Sequence, residues 1–197
     1  MSDGTLSLPR GRGDLVRQLI IWFGFAVVYQ LVRGLANRGP ELAHGNTRAV
    51  VRFERGLHMM LELRLQRALS SVEPLITAAN PTYWLSQFAV GGAALLWIYL
   101  RRYPWYLRIR DTIIVTNTIA LVGYVVVPTA PPRLLTGMGF KDTLTTSAVL
   151  NHGSGVVRLA ENPYAPMPSL HTADALIIGV ALALLVRRPW LRVLWVL

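Results

Sequence analysis

The sequence predicts an all-α fold, a multi-pass transmembrane helical bundle with four full spans, a truncated fifth span and an amphipathic interfacial helix. Of its 197 residues 53% are hydrophobic and 15% are charged, which is too apolar for an ordinary water-soluble domain. Apolar stretches also recur at about the 20-residue length that a helix needs to cross a bilayer. Arginines gather between these stretches, as they do beside membrane spans. No internal repeat divides the chain, so we predict a single integral membrane domain over residues 1–197.

Four stretches approach or meet the length of a transmembrane helix. They cover residues 15–32, 83–100, 112–127 and 168–186. A fifth apolar run starts at Trp190 and stops after eight residues, too few to cross a bilayer, so we expect a fragment or an interfacial stub. The first span should remain uncleaved, because no small-residue cleavage site follows it.

Short arginine-containing connections predict the orientation of these spans. Arg10 and Arg12 precede the first span and Arg17 lies at its start, residues 101–110 separate the second from the third, and "RRPWLR" follows the fourth. Placing these arginines in the cytoplasm puts the N-terminus there and the loop 128–167 outside, in a cell-membrane protein. The segment between the first two spans departs from this rule, because it would lie outside and is nevertheless the most basic connection.

That basic segment contains a predicted helix over residues 47–69. Its arginines lie on other faces than its apolar residues, so it is amphipathic. Two interpretations are equally good: the helix lies on the membrane surface with its arginines toward lipid phosphates, or it covers the end of the bundle with the arginine stems along apolar surface. The apolar face contains Phe53, Leu57, Met60, Leu61, Leu65 and Leu69.

The charge distribution indicates which partners the protein has. The net charge is +10, and Lys141 is the only lysine among 20 basic residues. Because the arginines alternate with apolar runs, they favour membrane lipids over nucleic acid as the partner. The absence of cysteine excludes disulfides, thiolate metal sites and cysteine nucleophiles. We expect no metal, since His171 and Asp174 offer only two possible ligands.

Polar residues open the fourth predicted span, in "APMPSLHTADAL". His171 and Asp174 are three residues apart and share one helical face, while Pro168 is a typical first-turn residue. A helix N-terminus suits a bound phosphate, Ser169 adds a hydroxyl, and His171 can protonate a leaving oxygen near neutral pH. The alternative is a capped and wetted helix end without chemistry. Asp174 either supports the charged form of His171 or faces water.

A second motif, "VPTAPPRLL", ends the third predicted span. Its three prolines stiffen the backbone before Arg133, whose planar guanidinium suits phosphate oxygens. Arg133 and His171 therefore bound the same outer loop and form a possible anion site. Asp142 and Tyr164 within this loop are possible headgroup contacts, as is Asp174, although ordinary loop polarity explains the loop residues equally well. Asn117, inside the third span, is predicted to bond to a neighbouring helix.

These motifs, with "FERGLHMMLELRLQ" and "GFKDTL", resemble the type-2 phosphatidic acid phosphatase superfamily, and in particular its branch similar to inositol phosphorylceramide synthases. The resemblance covers roughly residues 45–192. It implies that Arg133 and Ser169 bind phosphate, that Leu170 contributes its backbone amide, and that His171 is the general acid. The lysine that usually lies upstream of the arginine is absent from "GYVVVPTAPPR".

The resemblance implies a membrane-embedded enzyme without cofactors. It would be a lipid phosphatase (hydrolase) or an inositolphosphotransferase of lipid metabolism, acting through a phosphohistidine on a phospholipid or polyprenyl phosphate. The family's third motif supplies the nucleophilic histidine. None of His44, His58 and His152 has the aspartate that should follow it. We therefore expect that motif beyond Leu197 and little turnover without it; the alternative is a non-catalytic lipid-phosphate-binding or assembly protein. Neither the acceptor nor the oligomeric state follows from the sequence.

Overall fold

The computed structural model describes residues 8–35, 40–69, 89–131, 169–186 and 188–196. Of the described residues 87% are helical and none lies in a strand, which confirms the all-α prediction. The chain divides into two compact units. The first contains Met1–Tyr29, Leu85–Ile119 and Ser169–Leu197, and the second contains Gln30–Trp84 and Ala120–Pro168.

Several helices coincide with apolar stretches of the sequence. The helices in the described ranges are α1 (Gly11–Leu35), α2 (Pro40–Gly56), α3 (Leu61–Leu69), α4 (Gly91–Arg101), α5 (Tyr103–Val126), α6 (Leu170–Leu185) and α7 (Pro189–Val196). By length and composition two of them could cross a membrane: α1, over Gly11–Gly34, and α5. Helix α6 is apolar but shorter, and only the C-terminal part of the second predicted span, with α4, is described. The number of four spans therefore stays a prediction.

The predicted connection over residues 101–110 is mostly helical. Helix α4 ends at Arg101, the N–H of Arg102 bonds to the Ile98 carbonyl at 2.7 Å, and α5 begins at the next residue. Pro104 fits here because the first N–H groups of a helix have no acceptor within it. The prediction of a loop was therefore wrong: a single residue separates the two helices, and the arginines after it lie on α5 itself.

The core of the first unit is built around three tyrosines of α4 and α5. The ring of Tyr99 contacts those of Tyr103 and Tyr106 edge-on, with centroids 5.6 and 5.0 Å away. Trp22 of α1 donates its indole N–H to the Tyr106 hydroxyl at 2.9 Å. The buried members of this core are Ala94, Ile98, Tyr99, Tyr106, Ile109, Ile113, Ala181 and Leu182.

Asp14, in the first turn of α1, joins three helices at one end of this core. Its carboxylate accepts hydrogen bonds from the hydroxyls of Tyr103 and Tyr99 at 2.7 and 3.1 Å and from the amide of Gln18 at 3.2 Å. Arg110 of α5 donates to the Gln18 side-chain oxygen at 2.6 Å. These bonds satisfy polar groups that would otherwise be costly beside an apolar core.

The fifth apolar run forms α7, which folds back onto α6. Gly179 of α6 lies so close to the Trp195 carbonyl that an added Cβ would overlap it. Glycine is needed here for this close approach of two backbones. The run that starts at Trp190 thus packs on protein within this unit.

In the second unit, the helix predicted over residues 47–69 is two helices, α2 and α3. At the end of α2 the N–H of Met59 bonds to the Glu54 carbonyl and the N–H of His58 to the Arg55 carbonyl, at 2.9 and 3.1 Å. His58 has a φ of 56°, so this is a Schellman motif with histidine at the left-handed position where glycine is usual. The motif turns the chain out of the helix, and the prediction of one continuous helix was wrong.

Candidate functional site

The candidate site described in the first unit is the start of α6, where Ser169 is the N-cap. Its backbone is extended, with φ −73° and ψ 108°, and its Oγ accepts the Thr172 N–H at 3.5 Å. The Thr172 hydroxyl also donates to this oxygen, at 3.2 Å. Because the cap uses the oxygen as an acceptor, the Ser169 hydroxyl proton stays available for a ligand. Pro168, predicted in the first turn, precedes the cap and lies outside the described residues.

The backbone of this turn offers donors in the same place. The first bond within the helix runs from the Ala173 N–H to the Ser169 carbonyl, at 3.1 Å. The N–H of Leu170 therefore has no acceptor inside α6 and lies at its positive end. His171 follows it and is half-buried. The structure thus places three of the predicted residues, Ser169, Leu170 and His171, in one helical turn.

Asp174 lies one turn further along α6. Its half-buried carboxylate accepts a hydrogen bond from the side-chain amide of Asn117 at 3.0 Å. The same amide donates to the Ile113 carbonyl of its own helix at 2.9 Å, so α5 fixes its position. The predicted bond between Asn117 and a neighbouring helix is confirmed. The sequence did not indicate that Asp174 is its partner.

The second unit contains, separately, the segment after α5 with the start of the proline motif. Pro128 and Ala130 are buried, and α2 holds both. Asn46 donates to the Pro128 carbonyl at 2.8 Å, and the Thr47 hydroxyl accepts the Ala130 N–H at 2.7 Å. Thr129 is buried between them, with its hydroxyl unbonded among the described residues.

Three of the predicted site residues, Arg133, Asp142 and Tyr164, lie outside the described residues, and their roles stay predictions. Sequence reasoning missed Thr172, Asn46 and Thr47. Thr172 could have been found, because it stands three residues after a serine that starts a helix, the spacing of a capping pair. Within the described ranges no three His, Cys, Asp or Glu side chains group as metal ligands do.

Fold and site together define a helical protein with membrane-crossing candidates, in which a serine-capped helix start carries a histidine. A family model of the PAP2 superfamily matches residues 48–197, and the chain belongs to this superfamily. Membership indicates a phosphatase-type activity on lipid phosphates. No curated protein and no solved structure matches the chain.

Proposed function

We propose that this protein is a membrane-embedded lipid phosphatase or phosphotransferase that works at the extracytoplasmic face through a phosphohistidine. The observation that carries the proposal is the start of α6, where the Ser169 hydroxyl, the Leu170 N–H and His171 lie in a single turn. A helix start binds an anion through its N–H groups and its partial positive charge. Family membership supports a lipid phosphate as that anion.

In this mechanism a nucleophilic histidine of the third motif attacks phosphorus, and the bond to the leaving oxygen breaks. The His171 imidazolium gives its proton to that oxygen. Arg133, Ser169 and the Leu170 amide stabilise the negative charge on the phosphoryl oxygens. Water or an alcohol then attacks the phosphohistidine, and His171 takes the proton of the acceptor. A hydrolase and a headgroup transferase, including an inositolphosphotransferase, differ only in this acceptor.

Asp174 has a supporting role in this proposal. Its bond to Asn117 fixes the rotation of α6 against α5, because both side chains belong to well-formed helices. His171 lies three residues before Asp174 and so shares its side of α6. The carboxylate that sequence reasoning placed among possible headgroup contacts thus also orients the histidine.

We further propose the predicted four-span topology with a cytoplasmic N-terminus in the cell membrane. Asn117 lies 14 residues after Tyr103 on α5, which puts the pair with Asp174 about 21 Å along the helix from the cluster around Asp14. Arg10 stacks on Tyr103 at the Asp14 end. Arginines at one end and the capped start of α6 toward the other support cytoplasmic and outer sides, respectively.

Helices α2 and α3 support the membrane-surface interpretation of their segment. Phe53 is 68% exposed and Leu61 is 63% exposed, and Leu57 and Leu65 are exposed as well. Exposed apolar side chains within the described part of this unit, beside exposed Arg52 and other arginines, fit a lipid interface better than the covered end of a bundle. Membrane lipids are therefore the proposed partner of this surface.

Phosphate release from phosphatidic acid vesicles by the gene's full-length product tests the function. We expect His171→Ala and Arg133→Ala to abolish release while the protein still inserts. Arg17→Ala and Arg101→Ala, at exposed positions of α1 and α4, are the controls and should keep full activity. Wild-type rates in either His171→Ala or Arg133→Ala would refute the assigned role. Polyprenyl phosphate and phosphatidylinositol with an alcohol acceptor, in the same assay, distinguish the substrates and the transferase reaction.

The alternative function is a non-catalytic binder of lipid phosphates. It is favoured by the start of α6, where the Ser169 hydroxyl and the Leu170 N–H can bind a phosphate whether or not a reaction follows. Orthovanadate, a phosphate mimic, distinguishes the two functions. A binder retains vanadate in an Arg133-dependent manner without releasing phosphate from any of the lipids above.

A further inference from the structure

Two residues of α2 hold the backbone that leads to the proline motif. Thr47 is 4% exposed and lies on the buried stripe of α2 with Ala43 and Val51, at the spacing of successive helical turns. Its hydroxyl accepts the Ala130 N–H at 2.7 Å. Its single proton is donated to either the Ala43 or the Ala130 carbonyl, which lie 2.8 and 2.9 Å away. The N–H of Ala130 thereby joins the segment to α2, and the Ala130 carbonyl competes with that of Ala43 for the Thr47 proton.

Asn46 adds a second attachment point two residues earlier in the segment. Its side-chain amide donates to the carbonyl of fully buried Pro128 at 2.8 Å. The Ala130 N–H also reaches the Ala43 carbonyl, at 3.3 Å. We call Asn46 and Thr47 the α2 clamp. Both precede the range that matches the family model, residues 48–197, so the match does not include them.

The composition of the proline motif makes the clamp important. Prolines have no N–H, so in residues 128–132 only Thr129 and Ala130 can donate a backbone hydrogen bond. The Thr47 hydroxyl accepts one of these two donors. The Thr129 N–H is therefore the one other backbone donor in residues 128–132 that could bond this stretch to the rest of the unit.

We propose that Asn46 and Thr47 are positioning residues, which fix the Pro128–Ala130 backbone and thereby set the affinity of the proposed phosphate site. This inference rests on the proposed role of Arg133, which follows Pro131 by two residues. Two residues form a short connection, since each residue of a chain spans at most about 3.6 Å. We therefore expect a change in the clamped backbone to alter phosphate binding by Arg133.

Orthovanadate binding to the purified protein, measured by calorimetry at 25 °C, tests the clamp. Thr47→Val keeps the shape of the side chain and removes its hydrogen bonds; we expect vanadate to bind about tenfold more weakly, equal to about 1.4 kcal/mol. Thr47→Ser restores the hydroxyl and should restore affinity. The matched control is Thr118→Val, since Thr118 is exposed and its hydroxyl bonds to the Ile114 carbonyl of its own helix.

Thermal unfolding of the same samples separates positioning from simple stability. A merely structural Thr47 would lower the melting temperature and leave the vanadate affinity of the folded protein unchanged, which would overturn the proposal. If Thr47→Val does not fold, Asn46→Ala replaces it, because half-buried Asn46 contacts the segment from the rim; we expect about a threefold loss of affinity, and none would overturn the proposal. Wild-type affinity in Arg133→Ala would instead refute the proposed phosphate site itself.

Discussion

Replacing Asp14 with alanine should cost the protein about 2 kcal/mol of unfolding free energy. The carboxylate accepts three side-chain hydrogen bonds, from Tyr99, Tyr103 and Gln18. Two of these bonds, from Tyr99 and Tyr103, join different helices, and such bonds between membrane helices contribute about 0.6 kcal/mol each on average, which gives about 1 kcal/mol. The hydroxyl of Tyr99, 3% exposed, would also lose its acceptor, and such a buried orphan alone costs about 1–3 kcal/mol. Both estimates of the loss in unfolding free energy fall at about 1–3 kcal/mol.

The assay is unfolding of the purified protein in mixed micelles by increasing SDS, followed by circular dichroism. Asp111→Ala is the matched control, because this aspartate is 62% exposed and pairs with Arg110 at the surface; we expect it to cost at most about 0.5 kcal/mol. Tyr99→Phe removes a hydrogen-bond donor and leaves no buried hydroxyl without an acceptor, so it should lower the unfolding free energy less than Asp14→Ala does. In the double variant the two losses should not add, since a phenyl ring at position 99 needs no acceptor. A loss in Asp14→Ala no larger than in Asp111→Ala would refute this reasoning.

Two further predictions concern packing and the membrane surface. Gly179→Ala should cost about 1–3 kcal/mol of unfolding free energy in the same SDS titration, because the new Cβ overlaps the backbone carbonyl of Trp195 and a backbone cannot move aside as a side chain can. The control Gly24→Ala, in open space on α1, should cost nothing. Equal stability of the two variants would contradict the close packing of α6 and α7. Because the chain has no cysteine, a spin label attached to Leu57→Cys reports on that position alone. In vesicles, oxygen should speed the relaxation of this label more than a water-soluble nickel complex does, and a label on Arg48→Cys should show the reverse. Equal nickel access at both sites would place this segment in water.

The length of an apolar run predicted helices well, because a bilayer-length run has few other ways to satisfy its backbone. The first predicted span lies wholly within α1 and the third is nearly all within α5. What the runs could not show is where helices break. The periodicity of residues 47–69 continues unchanged through His58, and the chain turns there because that residue adopts a left-handed conformation. Nothing in the local pattern of a histidine between apolar residues indicates such a turn.

In the candidate site, too, the sequence predicted contacts between residues close in the chain and missed those between distant residues. The Ser169 cap and its neighbours fall within one turn of α6, so spacing alone placed them together. The partner of Asp174 is 57 residues away in sequence, and that of Ala130 is 83 residues away. One sequence without aligned relatives has no signal for such pairs, since Asn and Thr are ordinary residues in many helices.

The contrast between Arg133 and Thr47 shows why this division matters for function. The sequence identified Arg133 because prolines precede it, and the prolines were interpreted as a device that holds the arginine still. A proline fixes its own φ angle, which limits the internal shape of the segment, but it does not determine where the segment lies in the protein. The position of the segment is determined by bonds to another element, and within the described residues Asn46 and Thr47 supply them. Stiffness and attachment are therefore separate requirements of a pre-organised phosphate site, and only the first can be predicted from the motif itself.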